Sequence, residues 1–158
     1  MSLSTRLLTE TALETPDESR FTQATLEALV AFPTFRNHTF SFEAHAVHTF
    51  GDTAPPQRFA YLGGSGTLPT FDLLEFGGDR LLFFESRYAI PIERIQIPIV
   101  GSPVIMLRHM IGMAGVDSLP PFEQNIGVRL IVGLIKVDFT VDPVSRDSKV
   151  SAGLSLVR

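Results

Sequence analysis

The chain has 158 residues, of which 44% are hydrophobic and 19% charged, and its formal net charge is −4. That length supports one domain with a core, and the acidic balance without a basic stripe excludes nucleic acid as a partner. Cysteine is absent, which excludes disulfides, thiol catalysis and Cys-based zinc sites. The charged share lies below the ~25% usual for a soluble domain. Yet no run of ~18 apolar residues is present, so no transmembrane helix is written in the sequence. The apolar residues are instead spread as alternation, the form that a membrane-spanning strand requires.

Taken in order, the chain reads as a series of strands. Leu3 to Leu13 is a weakly patterned first strand, followed by a turn at Thr15-Pro16-Asp17-Glu18-Ser19. Phe21 to Phe32 alternates, with Ala24, Leu26, Ala28, Val30 and Phe32 on one face and Gln23, Thr25 and Glu27 on the other. A helix is the rival reading there, since Ala, Leu and Glu favour helices. The neighbouring pattern favours a strand. After a short turn, His38 to Phe50 places Phe40, Phe42, Ala44, Ala46, His48 and Phe50 on one face. Thr39, Ser41, Glu43, His45 and Thr49 share the other.

A long loop over 51–79, dense in Gly, Pro and aromatic residues, comes next. The strand Leu81 to Ile92 follows it and sets the pattern for the rest. Leu82, Phe84, Tyr88 and Ile90 face one side, with Ser86 as the exception, while Glu85, Arg87 and Ala89 face the other together with Leu81 and Phe83. Pro103 to Ala114 sends Ile105, Leu107, Ile111 and Met113 to the apolar side and Arg108 to the opposite one. Asn125 to Leu134 groups Ile126, Val128, Leu130, Val132 and Leu134, with Arg129 and two glycines across from them. Ile135 to Asp142 alternates most sharply: Ile135, Val137, Phe139 and Val141 against Lys136, Asp138, Thr140 and Asp142. Val150, Ala152, Leu154 and Leu156 continue the alternation to the end. The sequence thus predicts an all-β fold, an antiparallel up-and-down meander of about eight strands in one domain over 1–158.

Alternation does not decide which face is buried. In a soluble sheet the apolar face is core. In a membrane barrel it faces lipid and the charged face lines the lumen.

The loop and its strand carry a resemblance. The order Leu62-Gly63-Gly64, Gly66-Thr67-Leu68, Phe71, Gly77-Gly78-Asp79, Glu85-Ser86-Arg87-Tyr88 and Pro91 resembles the C-terminal barrel of the bacterial surface antigen family. These are outer-membrane barrels of the barrel-assembly and two-partner-secretion group, which also includes barrels fused to patatin-like lipases. The resemblance extends from about Phe21 to the C-terminal strands, where Gly112, Ala114 and Ile126-Gly127-Val128 fall at family-like positions. It implies a transmembrane β-barrel, or half of a larger one, in the outer membrane. It also implies a loop that folds back into the lumen through Gly63, Gly64, Gly66, Leu68 and Phe71. The implied role is insertion or translocation of other outer-membrane or secreted proteins, or anchoring of a periplasmic domain.

The family's loop Arg-Gly is Pro69-Thr70 here, and the Asp that the Arg meets on the wall corresponds roughly to Met110. Both ends of that ion pair are replaced together, which leaves no charge unpaired. The substitution favours plain anchoring over active assembly. Two further features depart from the group. The chain ends Leu156-Val157-Arg158 where such barrels usually end on an aromatic residue, and MSLSTRLLTETALE lacks the apolar segment of a signal peptide. The chain is therefore read as a segment of a longer product.

Each candidate chemistry has an ordinary rival. His45 and His48 point to opposite faces of one strand, so no metal site is expected among the four histidines. Ser65 in Gly63-Gly64-Ser65-Gly66 is followed by no helix, and the phosphate-loop Lys is missing; a tight turn explains the glycines better than a nucleophile elbow or a phosphate loop. No catalytic residue, cofactor or small-molecule substrate is expected. Glu43, Glu85, Arg87, Arg108, Arg129 and Asp138 form either a mixed-charge lumen lining or a solvated sheet face. Phe84, Tyr88, Val137 and Phe139 are the lipid-facing candidates. The alternative to membrane lipid as partner is a soluble, lipocalin-like barrel that turns this apolar set inward onto an apolar ligand.

Overall fold

The computed structural model describes residues 1–12, 20–98 and 100–154. Its strands are β1 (Ser2–Ala12), β2 (Phe21–Pro33), β3 (Thr39–Gly51), β4 (Ala60–Leu62), β5 (Phe76–Gly78), β6 (Arg80–Pro91), β7 (Val104–Gly115), β8 (Glu123–Val132), β9 (Ile135–Val141) and β10 (Ser148–Leu154). Eight of them form one sheet in the order β1-β2-β3-β6-β7-β8-β9-β10, and every neighbouring pair is antiparallel. β4 and β5 form a separate two-stranded hairpin within the loop between β3 and β6. Leu13, Leu156 and the turn expected at Thr15–Ser19 lie outside the described residues.

The fold follows from the period of 2. β2 has helix-forming residues but pairs along its length with β1 and β3, and two hydrogen-bonded neighbours outweigh a weak intrinsic propensity. Gly133 adopts a positive φ of 59°, which lets the chain reverse within Gly133-Leu134 and removes Leu134 from the strand predicted to contain it.

The register carries one set of faces across the whole sheet. Leu26 pairs with Ala46 and Ala46 with Leu82; Tyr88 pairs with Leu107, Leu107 with Val128 and Val128 with Phe139. These lie on what is here called the outer face. Glu43 pairs with Glu85, Glu85 with Met110 and Met110 with Asn125 on the inner face.

The core sits on the inner face. Val47, Leu81, Phe83, Met110 and Ala114 from β3, β6 and β7 meet Leu62 and Leu68 from the loop, with Ala60, Phe71 and Phe76 packed around them. Among the described residues nothing covers the outer face in this way. Phe42, Phe84, Leu107, Ile126, Val128, Leu130, Val137 and Phe139 are all exposed on it.

The sheet is not closed. β1 and β10 are its edges. The long edge β1 exposes Leu3 and Leu7 on the outer face and also carries Arg6 and Glu10.

Candidate functional site

The inner face is the candidate site, built from a loop and a chain of charges. Gly63 and Gly64 take positive φ of 112° and 81°, a conformation open to glycine and strained for other residues. That turn is tied by the Gly63 amide donating to Thr67 Oγ1 at 2.9 Å and the Gly64 amide donating to the Phe71 carbonyl at 3.2 Å. The turn delivers Leu62 and Leu68 to the sheet.

Gly112 makes the landing possible. A side chain there would meet Leu62 Cδ1 at 2.7 Å and press on Phe83, so the absent Cβ is the socket for the loop. Phe71 stacks edge-on against Phe76 at 4.9 Å between ring centroids. Of the loop motif residues, Gly63, Gly64 and Leu68 are thus buried and Phe71 half-buried, whereas Gly66 and Ser65 are exposed.

The far end of the loop is fixed by neutral hydrogen bonds. The Thr70 amide and hydroxyl lie 3.0 and 3.1 Å from Asn125 Oδ1, and Asn125 Nδ2 donates to the Thr70 hydroxyl at 2.8 Å. Asn125 is fully buried and pairs across the sheet with Met110. A polar contact between loop and sheet therefore stands one strand over from Met110. Asn125 drew no attention in the sequence because a lone Asn in a strand has no local signature. The loop is closed at its base by Asp79, whose carboxylate accepts the Asp117 amide at 3.0 Å and whose carbonyl accepts the Thr49 hydroxyl at 2.9 Å.

Beside the apolar seat runs an alternating chain of six charges. Glu43 pairs with Arg87, Arg87 with Glu85 at 2.5 Å, Glu85 with Arg108 at 2.5 Å, Arg108 with Asp138 at 3.2 Å, and Asp138 with Arg129 at 2.5 Å. These are the six residues singled out in the sequence. The register brings them together because each lies on the inner face of β3, β6, β7, β8 or β9. Glu85 is 1% exposed and Arg108 5%. Three acids and three arginines leave no net charge, and each interior member touches two partners, the condition under which buried ions are tolerated.

Phe84, Tyr88, Val137 and Phe139 lie on the opposite, outer face. Phe84 is 45% exposed and Phe139 48%. At the sheet end where β2 turns into β3, the outer face carries an aromatic group: Phe32 and Phe40 lie 5.5 Å apart, Phe40 and Tyr88 6.2 Å, and His38 Nδ1 hydrogen-bonds the Tyr88 hydroxyl at 2.8 Å. Among the described residues no group of three His, Asp or Glu side chains converges as a metal site.

The arrangement defines an open antiparallel sheet with an apolar exposed face and a charged, loop-covered one. No protein-family model matches the chain, and no curated protein is similar to it.

Proposed function

We propose that the chain is part of the wall of an outer-membrane β-barrel of the protein assembly and translocation type, with the 51–79 loop folded onto its lumen face and plain membrane anchoring as its leading role. The observation behind this reading is the inversion of polarity. The ordered ion chain and the docked loop occupy the same face, and the opposite face presents aliphatic and aromatic side chains across the sheet. A lipid-facing band with a polar, occupied interior has this character. A soluble ligand-binding barrel would turn the apolar set inward.

The loop also bears on barrel size. An eight-stranded barrel has an interior just wide enough for side chains. Here the inner face carries a further layer, the β4–β5 hairpin with Leu62 and Leu68. A barrel that holds this layer needs more than eight strands, so β1 and β10 pair with other strands and not with each other. In lipid such pairing is obligatory, because an open edge leaves backbone groups unsatisfied.

The test is membrane extraction. The chain, expressed and targeted to membranes, should resist carbonate and be released by detergent, with heat-modifiable migration on gels. A protein that is soluble and monomeric without detergent would refute the membrane reading and turn attention to the ligand-binding barrel.

A further inference from the structure

We infer that the end of the outer face at the β2–β3 turn carries a binding site for the phosphate of an anionic phospholipid headgroup. The inference rests on the membrane reading above. A cleft of about 300 Å³ opens there, between the β2–β3 turn and the segment after β6, lined by Arg36, His38, Ile90, Ile92, Glu93 and Arg94. Its position gives it meaning. Ile90 continues the outer-face set of β6, and the Phe32, Phe40 and Tyr88 rings stand beside it on that same face. Aromatic residues at the rim of an apolar band mark the depth of lipid headgroups.

The charges at this depth are free to bind. Among the described residues neither Arg36 nor Arg94 pairs with a carboxylate, unlike the arginines of the inner chain. Glu93 lines the same cleft but accepts a hydrogen bond from the Asn37 amide group, which engages one of its oxygens and holds it on the turn. Arg36 is placed by its backbone: it takes a positive φ of 56°, and its guanidinium lies 5.2 Å from the centroid of the Phe35 ring. Phe35 is 68% exposed, so the pair stands out toward the membrane surface. A guanidinium suits a phosphate because its donors match the oxygens in a fork, and Ile90 and Ile92 provide the apolar side along which an acyl chain can run. The connections at this end are the 34–38 turn, the 92–103 segment that lines the cleft and the two-residue Gly133-Leu134, and the 51–79 loop lies at the opposite end.

The experiment uses the detergent-solubilised protein, titrated separately with short-chain phosphatidylglycerol, short-chain phosphatidylcholine and inorganic phosphate, with binding read from the shift in thermal unfolding midpoint. The wild type should prefer phosphatidylglycerol over phosphatidylcholine. The R36A/R94A variant should lose that preference by roughly 30-fold, about fivefold for each basic group near the headgroups, and R36K/R94K should retain most of it. Both arginines are exposed, so folding of the variants is not at issue. Equal preference in wild type and R36A/R94A would overturn the site, and inorganic phosphate binding as tightly as phosphatidylglycerol would overturn its assignment to lipid. A protein that stays soluble and monomeric without detergent overturns the membrane reading itself, and this site with it.

Discussion

Removing Glu85 should harm the protein far more than removing Glu85 and Arg108 together. In Glu85→Leu, Arg87 keeps Glu43, but Arg108 and Arg129 are left sharing Asp138, so one positive charge stays buried in excess. Breaking a buried pair from one side costs about 3–5 kcal/mol, and the near-complete burial of Glu85 and Arg108 argues for that full range. In the double variant Glu85→Leu/Arg108→Leu the remaining charges fall into two complete pairs, Glu43 with Arg87 and Arg129 with Asp138. No charge is orphaned, and replacing a buried ion pair by apolar residues of similar volume is often neutral, so the double variant should lose far less than either single variant. Urea unfolding of the detergent-solubilised wild type, both single variants and the double variant, followed by circular dichroism, completes the cycle. If the double variant loses the sum of the two single losses, the six side chains are independent surface charges and the chain does not hold the inner face together.

Three further outcomes follow from the same geometry. Asn125→Leu removes every side-chain partner of Thr70 on the wall and should cost about 1–3 kcal/mol; the direct sign is faster proteolytic cleavage between 63 and 76 with the strands intact. Gly112→Leu should release the same loop by filling the socket that Leu62 occupies, and the cleavage pattern should match that of Asn125→Leu. The turn after β9 gives the pH dependence. Burial pushes the Asp142 carboxyl up, but the Val144 amide at 2.7 Å, the Ser145 hydroxyl at 2.9 Å and the Ser145 amide together hold it below the usual carboxylate range. A lowered native value means that this contribution is complete above the unfolded-state value near ~3.9. It is lost as pH falls through the native value, so Asp142→Asn should lower stability at neutral pH, change it little at the acid end and so flatten the acid limb of the profile, as measured by thermal midpoints across pH.

The strands were legible because an alternating sequence paired on both sides has one way to lie. Val137, Phe139 and Asp138 announce their faces without reference to any other strand. So does the split between Phe84 and Glu85, and parity alone placed all six charges on one face. What parity could not supply was distance. That Glu85 reaches Arg108 and Arg87 at once depends on the register between β3, β6 and β7, which loops and packing set. The interior of the loop was hidden for a related reason. Leu62 and Phe76 read as loop hydrophobics, and only the contact with Gly112 and Phe83 gives the β4–β5 hairpin a surface to form on. Thr70 and Asn125 lie 55 residues apart, and neither has a local pattern that names the other. The sheet's role also escapes the alternation, since a period of 2 is the same in water and in lipid.

The central claim is that the outer face meets acyl chains. Because the chain has no cysteine, single Cys substitutions can each carry one environment-sensitive fluorophore without background. Labels replacing Phe84, Val137 and Phe139 in the vesicle-reconstituted protein should be quenched by lipids brominated on their acyl chains, and labels replacing Glu43 and Arg129 should not. A protein whose Phe84, Val137 and Phe139 labels are quenched by aqueous iodide, and untouched by brominated lipid, would contradict the account.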